Sequence, residues 1–214
     1  MRKVIIFIIY LLLVNCSKQE NFLFYQKYNN DLKQIKGEIY LFRYTKINQE
    51  ERLLEILKQN RIVFKMKIKE DSIGLYYFCD NKYSLTHPFN ETNKSEDFCR
   101  QVYPFFHRLS KIVKSKLYEI NNDQFKVICY SEMSNSAESN ITYYLKGFGF
   151  ICFYDFFSGD MYLCNEVENS PIKSEVVRGI TNMLINDTTF FVKYRKQTVP
   201  ETINKFLPPD GSYK

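Results

Sequence analysis

The sequence has no tryptophan, only two histidines, and only 7 glycines and 6 prolines among 214 residues. Scarce glycine and proline argue against long flexible linkers. No two cysteines have C-x-x-C spacing, which excludes the usual zinc and thioredoxin-type motifs. The net charge of +6 is too small for the basic footprint of a nucleic-acid-binding protein.

The residues that are present indicate a folded domain. Hydrophobic residues make up 45% of the chain and aromatic residues 17%, which is incompatible with intrinsic disorder. The length favours one domain, large enough to bury a core without disulfide bonds or structural metal ions. We see no internal repeat.

The N-terminus has the layout of an export signal. Arg2 and Lys3 precede an uninterrupted apolar run over residues 4–14. A membrane-spanning helix needs about 20 apolar residues, so this run is too short. Its eleven residues match the apolar region of a secretory signal peptide.

The residues that end this run resemble the lipobox of bacterial lipoproteins. Leu13, Val14 and Cys16 match that motif, whereas Asn15 stands where Gly, Ala or Ser is usual. The resemblance implies cleavage before Cys16 and acylation of its thiol, with signal peptide 1–15 and tether 16–21. It also implies a cell-envelope location. The outer membrane is favoured over the inner, since Ser17 replaces the aspartate of inner-membrane retention. Secretion without an anchor is the alternative.

Hydrophobic periodicity predicts an α+β domain over 22–207, followed by a frayed tail at 208–214. The expected architecture is a mainly antiparallel sheet with three to four packing helices. The helices are predicted over 22–36, 48–60, 95–114 and 174–185, with a short last one at 200–207. The strands are predicted over 38–44, 62–69, 73–79, 117–120, 125–132, 141–157, 160–164 and 188–195.

Five cysteines follow Cys16, so at most two disulfides form and one thiol remains. Most lie among apolar neighbours, as small core residues do. Cys152 and Cys164 flank a predicted hairpin and are therefore the candidate disulfide, which an exported compartment permits.

No catalytic constellation emerges from the remaining polar residues. His87 precedes Pro88 in a polar stretch and is predicted to be an exposed turn residue. Cys99 and His107 would lie about 12 Å apart along a helix, too far for a thiolate–imidazole pair. Ser170 and Lys173 match S-x-x-K without the partner motifs of that enzyme class. We therefore predict no catalytic residue, no cofactor and no metal.

One basic strip stands out on the strand predicted over 62–69. Lys65, Lys67 and Lys69 share one face by period-2 alternation. Lysines on an edge strand block edge-to-edge association. They could also contact anionic headgroups or an acidic protein.

These features favour a non-enzymatic interaction module held at the envelope, of the inhibitor, immunity or assembly type, with an unknown protein partner and no nucleic acid. The alternative is a lipid- or hydrophobe-binding lipoprotein in which Phe148, Phe150 and Phe153 line a pocket. A hydrolase with an unrecognised site is the third hypothesis. The sequence specifies neither the partner nor the oligomeric state.

The acylation hypothesis makes a direct prediction. Cys16→Ala removes the thiol that receives the lipid, so metabolic labelling with palmitate should mark the wild-type protein and not the variant. Equal labelling of both proteins would contradict the anchor.

Overall fold

The computed structural model describes residues 20–29, 31–96, 109–134, 137–155 and 159–191. In these residues, eleven strands form one antiparallel sheet. The strands are β1 (Glu20–Tyr28), β2 (Gln34–Lys46), β3 (Glu51–Lys58), β4 (Arg61–Glu70), β5 (Gly74–Cys79), β6 (Lys82–Pro88), β7 (Leu109–Ile120), β8 (Asp123–Ser134), β9 (Ala137–Leu145), β10 (Gly149–Asp155) and β11 (Met161–Glu168). Their spatial order is β6-β5-β4-β3-β2-β1-β11-β10-β9-β8-β7. One helix, α1 (Ser174–Asn186), follows them.

The predicted α+β class with three to four helices is wrong, because the described part of the chain is nearly all sheet. Only the helix predicted over 174–185 is confirmed, as α1. The segment 22–36 forms β1 and the start of β2, and 48–60 contains β3. Residues 109–114 belong to β7. Residues 97–108 and 192–207 lie outside the described residues, so the rest of those helix predictions stands untested. The predicted signal peptide 1–15, Cys16 and the tail 208–214 also lie outside them. The strand predicted over 188–195 is wrong in its described part, because residues 188–191 form a turn.

The error at β3 has an identifiable cause. Its sequence, ERLLEILK, is rich in good helix formers, and Asn48 precedes it at capping distance. Asn48 does accept the backbone N–H groups of Glu50 and Glu51, both at 2.9 Å. Those bonds close the turn between β2 and β3 instead of opening a helix. Pairing with β2 and β4 satisfies the backbone of β3 on both sides, so tertiary context overrides local propensity.

Tight asparagine-containing turns connect several strands. Residues 59–60, 80–81 and 121–122 are pairs in which both residues have positive φ. This is the geometry of two-residue hairpin turns whose twist matches that of the strands. The strand predicted over 141–157 is instead two strands, β9 and β10, joined by a turn at 146–148.

The sheet curls into a near-barrel whose two edge strands, β6 and β7, approach each other without pairing. Side chains bridge this seam. Ser110 Oγ donates to the carbonyl of Thr86, and Ser95 Oγ donates to the carbonyl of Ser110 at 2.7 Å. Tyr130 on β8 also donates to the carbonyl of Pro88, at 2.7 Å.

The two faces of the curled sheet are covered differently. Aromatic side chains fill the interior, as where the ring of Tyr25 packs 4.2 Å from that of Phe42. Outside, α1 buries Val177, Ile180 and Leu184 against β11, β10 and β7. The exposed arginine and asparagine positions of α1 lie on its opposite face, so the helix is an amphipathic cover for one side of the sheet.

Asp187 holds the end of α1 in place. Its Oδ1 accepts the backbone N–H groups of Thr189 and Phe190, and its Oδ2 contacts Lys116 and accepts from Tyr118 on β7. The Lys116 ammonium, together with these hydrogen bonds, lowers the pKa of Asp187. The resulting turn places the rings of Phe190 and Phe191 over Tyr143.

Replacing this carboxylate should make stability less sensitive to acid. The folded pKa of Asp187 lies below the unfolded value, so its contribution is complete above about pH 4 and is lost as the pH falls further. We expect Asp187→Asn to lower the free energy of unfolding by about 1 kcal/mol at pH 7 and by less at pH 3. Urea denaturation at both pH values tests this, with the exposed Asp123→Asn as the matched control. An equal loss at both pH values would contradict it.

Candidate interaction surface

The outer face of β1–β4, which we call the open wall, is the most unusual surface of the protein. Among the described elements, α1 packs on β7, β10 and β11, and no helix lies over β1–β4. The wall therefore presents partly or half-exposed apolar side chains: Ile39, Leu41, Leu53, Leu57, Ile62 and Val63. Exposed apolar side chains grouped on one face in this way are typical of an interaction site.

A bulge in β4 enlarges the apolar part of this wall. The strict alternation of 62–69 predicts that Ile62 faces the core with Phe64. The register shifts opposite Leu57, however, so that Ile62 pairs with Leu57. Ile62 and Val63 are then both 50% exposed, beside the outward-facing Leu57. From Phe64 to Lys69 the predicted alternation is confirmed.

A ladder of charges crosses the centre of the open wall. Arg43, Glu55 and Lys65 are direct cross-strand partners on β2, β3 and β4. Glu55 Oε2 lies 2.7 Å from Arg43 Nη2, and Glu55 Oε1 lies 3.1 Å from Lys65 Nζ. Burial acts to raise the pKa of Glu55, but Lys65 and Arg43 outweigh it and the pKa is lowered. One anion thus sits between two cations.

The lysine strip lies where the sequence predicts it, but on an interior strand. β4 pairs with β3 along nearly its whole length but with β5 only from Ile68 to Glu70. The hypothesis that the strip protects a sheet edge is therefore wrong for Lys69, whereas Lys65 and Lys67 lie on the part of β4 that has no partner in β5. Lys67 Nζ lies 5.4 Å above the ring of Phe78, and Lys69 pairs with Glu50 at 2.8 Å. The open wall therefore carries more cations than anions around its apolar side chains.

The predicted Cys152–Cys164 disulfide is absent, and both thiols are free. Cys152 is the cross-strand partner of Leu163, the residue before Cys164. Because successive side chains of a strand point to opposite faces, Cys164 points away from Cys152. Burial raises the pKa of both thiols, which keeps them unreactive. Cys79 is disulfide-bonded, and its partner lies outside the described residues.

His87 is the other position where sequence reasoning failed. It is predicted to lie in an exposed turn, yet it is the second-last residue of β6 and has 0% exposure. Its Nε2 lies 3.1 Å from Oε1 of the equally buried Glu132 on β8. Gly74 permits this arrangement, because a Cβ at that position would lie 2.5 Å from the carbonyl oxygen of His87. No local signal reveals a pair that is separated by 45 residues.

The hydrogen bonds of Thr86 determine which ring nitrogen of His87 carries a hydrogen. The Thr86 hydroxyl donates to the carbonyl of Leu75 at 2.9 Å, so its oxygen can only accept from His87 Nδ1, 3.2 Å away. Nδ1 therefore carries a hydrogen.

Thr86, His87 and Glu132 have the hydroxyl–imidazole–carboxylate order of a nucleophilic triad, but the hydrogen bonds do not suit that chemistry. The ring nitrogen that faces Thr86 already carries a proton, so it is no base for the hydroxyl. All three residues are also buried. The arrangement fits a structural bridge between β6 and β8.

A second polar cluster closes the end of the near-barrel at which β1 stops. Lys27 Nζ lies 2.9 Å from Asp160 and 3.5 Å from Glu38, which also pairs with Lys58 at 3.6 Å. The hydrogen bond with Asp160 raises the pKa of Lys27. Because opposite charges pair with one another here, the cluster separates the aromatic interior from solvent at this end.

No protein-family model matches the chain, and no curated protein matches it either. Over the part of the chain that the structure describes, no helix combines the length and the apolar character needed to cross a bilayer. In the same residues, His, Cys, Asp and Glu side chains form no group that could hold a metal ion.

The buried pair should be among the most sensitive positions for stability. His87→Ala removes the imidazole from the buried Glu132 carboxyl, which still accepts from the Thr142 hydroxyl at 2.9 Å, and should cost about 3–5 kcal/mol of unfolding free energy. Glu132→Gln still offers the ring an amide and should cost about 1–2 kcal/mol. Urea denaturation at pH 7 measures both, and a loss for His87→Ala no larger than that for Glu132→Gln would contradict the bridge.

Proposed function

We propose that the protein is a lipid-anchored module of a bacterial cell envelope that binds a partner protein and performs no catalysis. The anchor rests on the lipobox resemblance around Cys16, with the outer membrane favoured over the inner. The binding role rests on one observation, the apolar wall of β1–β4, over which no described helix lies. A single-sheet domain that covers one outer half with a helix and leaves the other half open has a surface to spare for a partner.

The chemistry of the open wall indicates what that partner carries. Leu41, Leu57 and Val63 offer apolar contact area, and Arg43 and Lys65 flank it. Glu55 neutralises only part of this charge, since it lies between both cations. The complementary surface is an apolar patch bordered by carboxylates, which would give both affinity and orientation.

The alternative of a bound hydrophobe has less support. Phe150 and Phe153 are buried and pack with ring centroids 5.1 Å apart, and Phe153 also contacts Phe42 at 5.5 Å. The free volume beside Phe148 and Phe150 is about 10 Å³, enough for one water molecule at most. A lipid bound among these phenylalanine rings would require the interior to repack.

Site-specific photo-crosslinking in living cells tests the proposal. A benzophenone side chain at Val63, in the open wall, should yield a crosslinked species of discrete mass, whereas the same group at Met183, on the outer face of α1, should not. The Lys65→Glu/Lys67→Glu variant should weaken that crosslink roughly tenfold, equivalent to about 1.4 kcal/mol, because like charges then face each other.

The matched control is Lys65→Arg/Lys67→Arg, which keeps the charge and should keep the crosslink. All variants should melt within a few degrees of the wild type, so that folding does not explain the result. Equal crosslinking at Val63 and Met183, or insensitivity to charge reversal, would overturn the assignment of the open wall as the binding surface.

A further inference from the structure

We infer that the turns β2–β3 and β4–β5 rest on the membrane and insert Ile47 and Ile73 into its interface. This inference rests on the proposed anchor at Cys16. It adds an orientation of the domain on the lipid surface and a contact that neither the lipobox resemblance nor the open wall implies.

The tether between Cys16 and β1 is short. β1 begins at Glu20, four residues after Cys16. Four residues of fully extended chain span at most about 14 Å. An acylated Cys16 lies at the level of the lipid headgroups, so the first residue of β1 must stay within that distance of the bilayer. The beginning of β1 is therefore the membrane-facing end of the domain.

The sheet register places two turns beside the beginning of β1. Glu20 pairs with Thr45, the second-last residue of β2, so the β2–β3 turn projects just beyond it. The neighbouring β4–β5 turn is tied to this one by the backbone bond from Glu70 N to the Glu50 carbonyl, at 3.4 Å. The ion pair between Lys69 and Glu50 joins the same two turns.

Each of these turns exposes one isoleucine. Ile47 is 48% exposed and Ile73 is 43% exposed. Two apolar tips that project together from the tethered end are suited to the boundary between headgroups and acyl chains, where apolar side chains gain from leaving water.

The acidic side chains of the turns are held by the protein. Asp71 Oδ1 accepts the backbone N–H groups of Ile73 and Gly74. Glu51 accepts from the hydroxyl of Tyr83 at 2.6 Å and from the amide of Asn48 at 2.7 Å. Because the contact is apolar and the nearby charges are satisfied internally, it should not depend on anionic lipid.

The absence of tryptophan makes a clean test possible, since any introduced tryptophan is the only one in the chain. The variants are Ile47→Trp and Ile73→Trp, in the full acylated protein reconstituted in vesicles of phosphatidylethanolamine and phosphatidylglycerol. The matched control is Ile62→Trp, which is equally exposed but lies at the other end of β3 and β4, about 25 Å away. Lipids with brominated acyl chains quench tryptophan that enters the interface.

We expect quenching at positions 47 and 73 to exceed that at 62 at least twofold, with the same ratio in vesicles of phosphatidylcholine alone. Mass spectrometry of the N-terminal peptide reports the anchor separately. An acylated Cys16 with equal quenching at all three positions would overturn only the orientation, as would a ratio that needs anionic lipid. An unmodified Cys16 would overturn the anchor and this inference with it.

Discussion

The structure depends on one constraint: a single curled sheet has two faces, and each must be covered or left to another molecule. The concave face is filled by large aromatic side chains such as Tyr25, Phe42 and Tyr130. On the convex face, the described cover consists of α1 and the rings of Phe190 and Phe191, and it lies over the side of β7, β10 and β11. The open wall is the remainder, and it is the reason for assigning a binding role to that part of the surface.

Polar side chains hold the edge of the sheet in place, which aromatic packing in the interior does not do. The sheet does not close by backbone pairing, so the bridge from His87 to Glu132 and the bond from Tyr130 to the Pro88 carbonyl hold β6 against β8. A buried charge is tolerated only with a partner, and these two residues supply one another. At one end of the near-barrel, where the interior meets solvent, Lys27 and Asp160 likewise pair with one another.

The sequence predicts local features well and long-range ones poorly. The alternation from Phe64 to Lys69 and the helix over 174–185 are confirmed because each is encoded by neighbouring residues. The helix predicted at β3 is wrong because strand pairing, which sequence periodicity does not show, outweighs leucine-rich propensity. The buried state of His87 and the Arg43–Glu55–Lys65 ladder depend on register, which the sequence alone does not give.

The short tether and the open wall together restrict the kind of partner that would bind. Under the proposed acylation of Cys16, β1 to β4 would rise from the bilayer and the wall would stand at the side of the domain, facing neighbours in the same membrane. A tether of about 14 Å keeps the wall close to the lipid surface. A partner held there meets it at high effective concentration, because anchoring has already removed much of the freedom that binding costs. A half-exposed patch of modest area is then sufficient for a stable contact with a membrane-held protein, although the same patch would bind a freely diffusing one weakly.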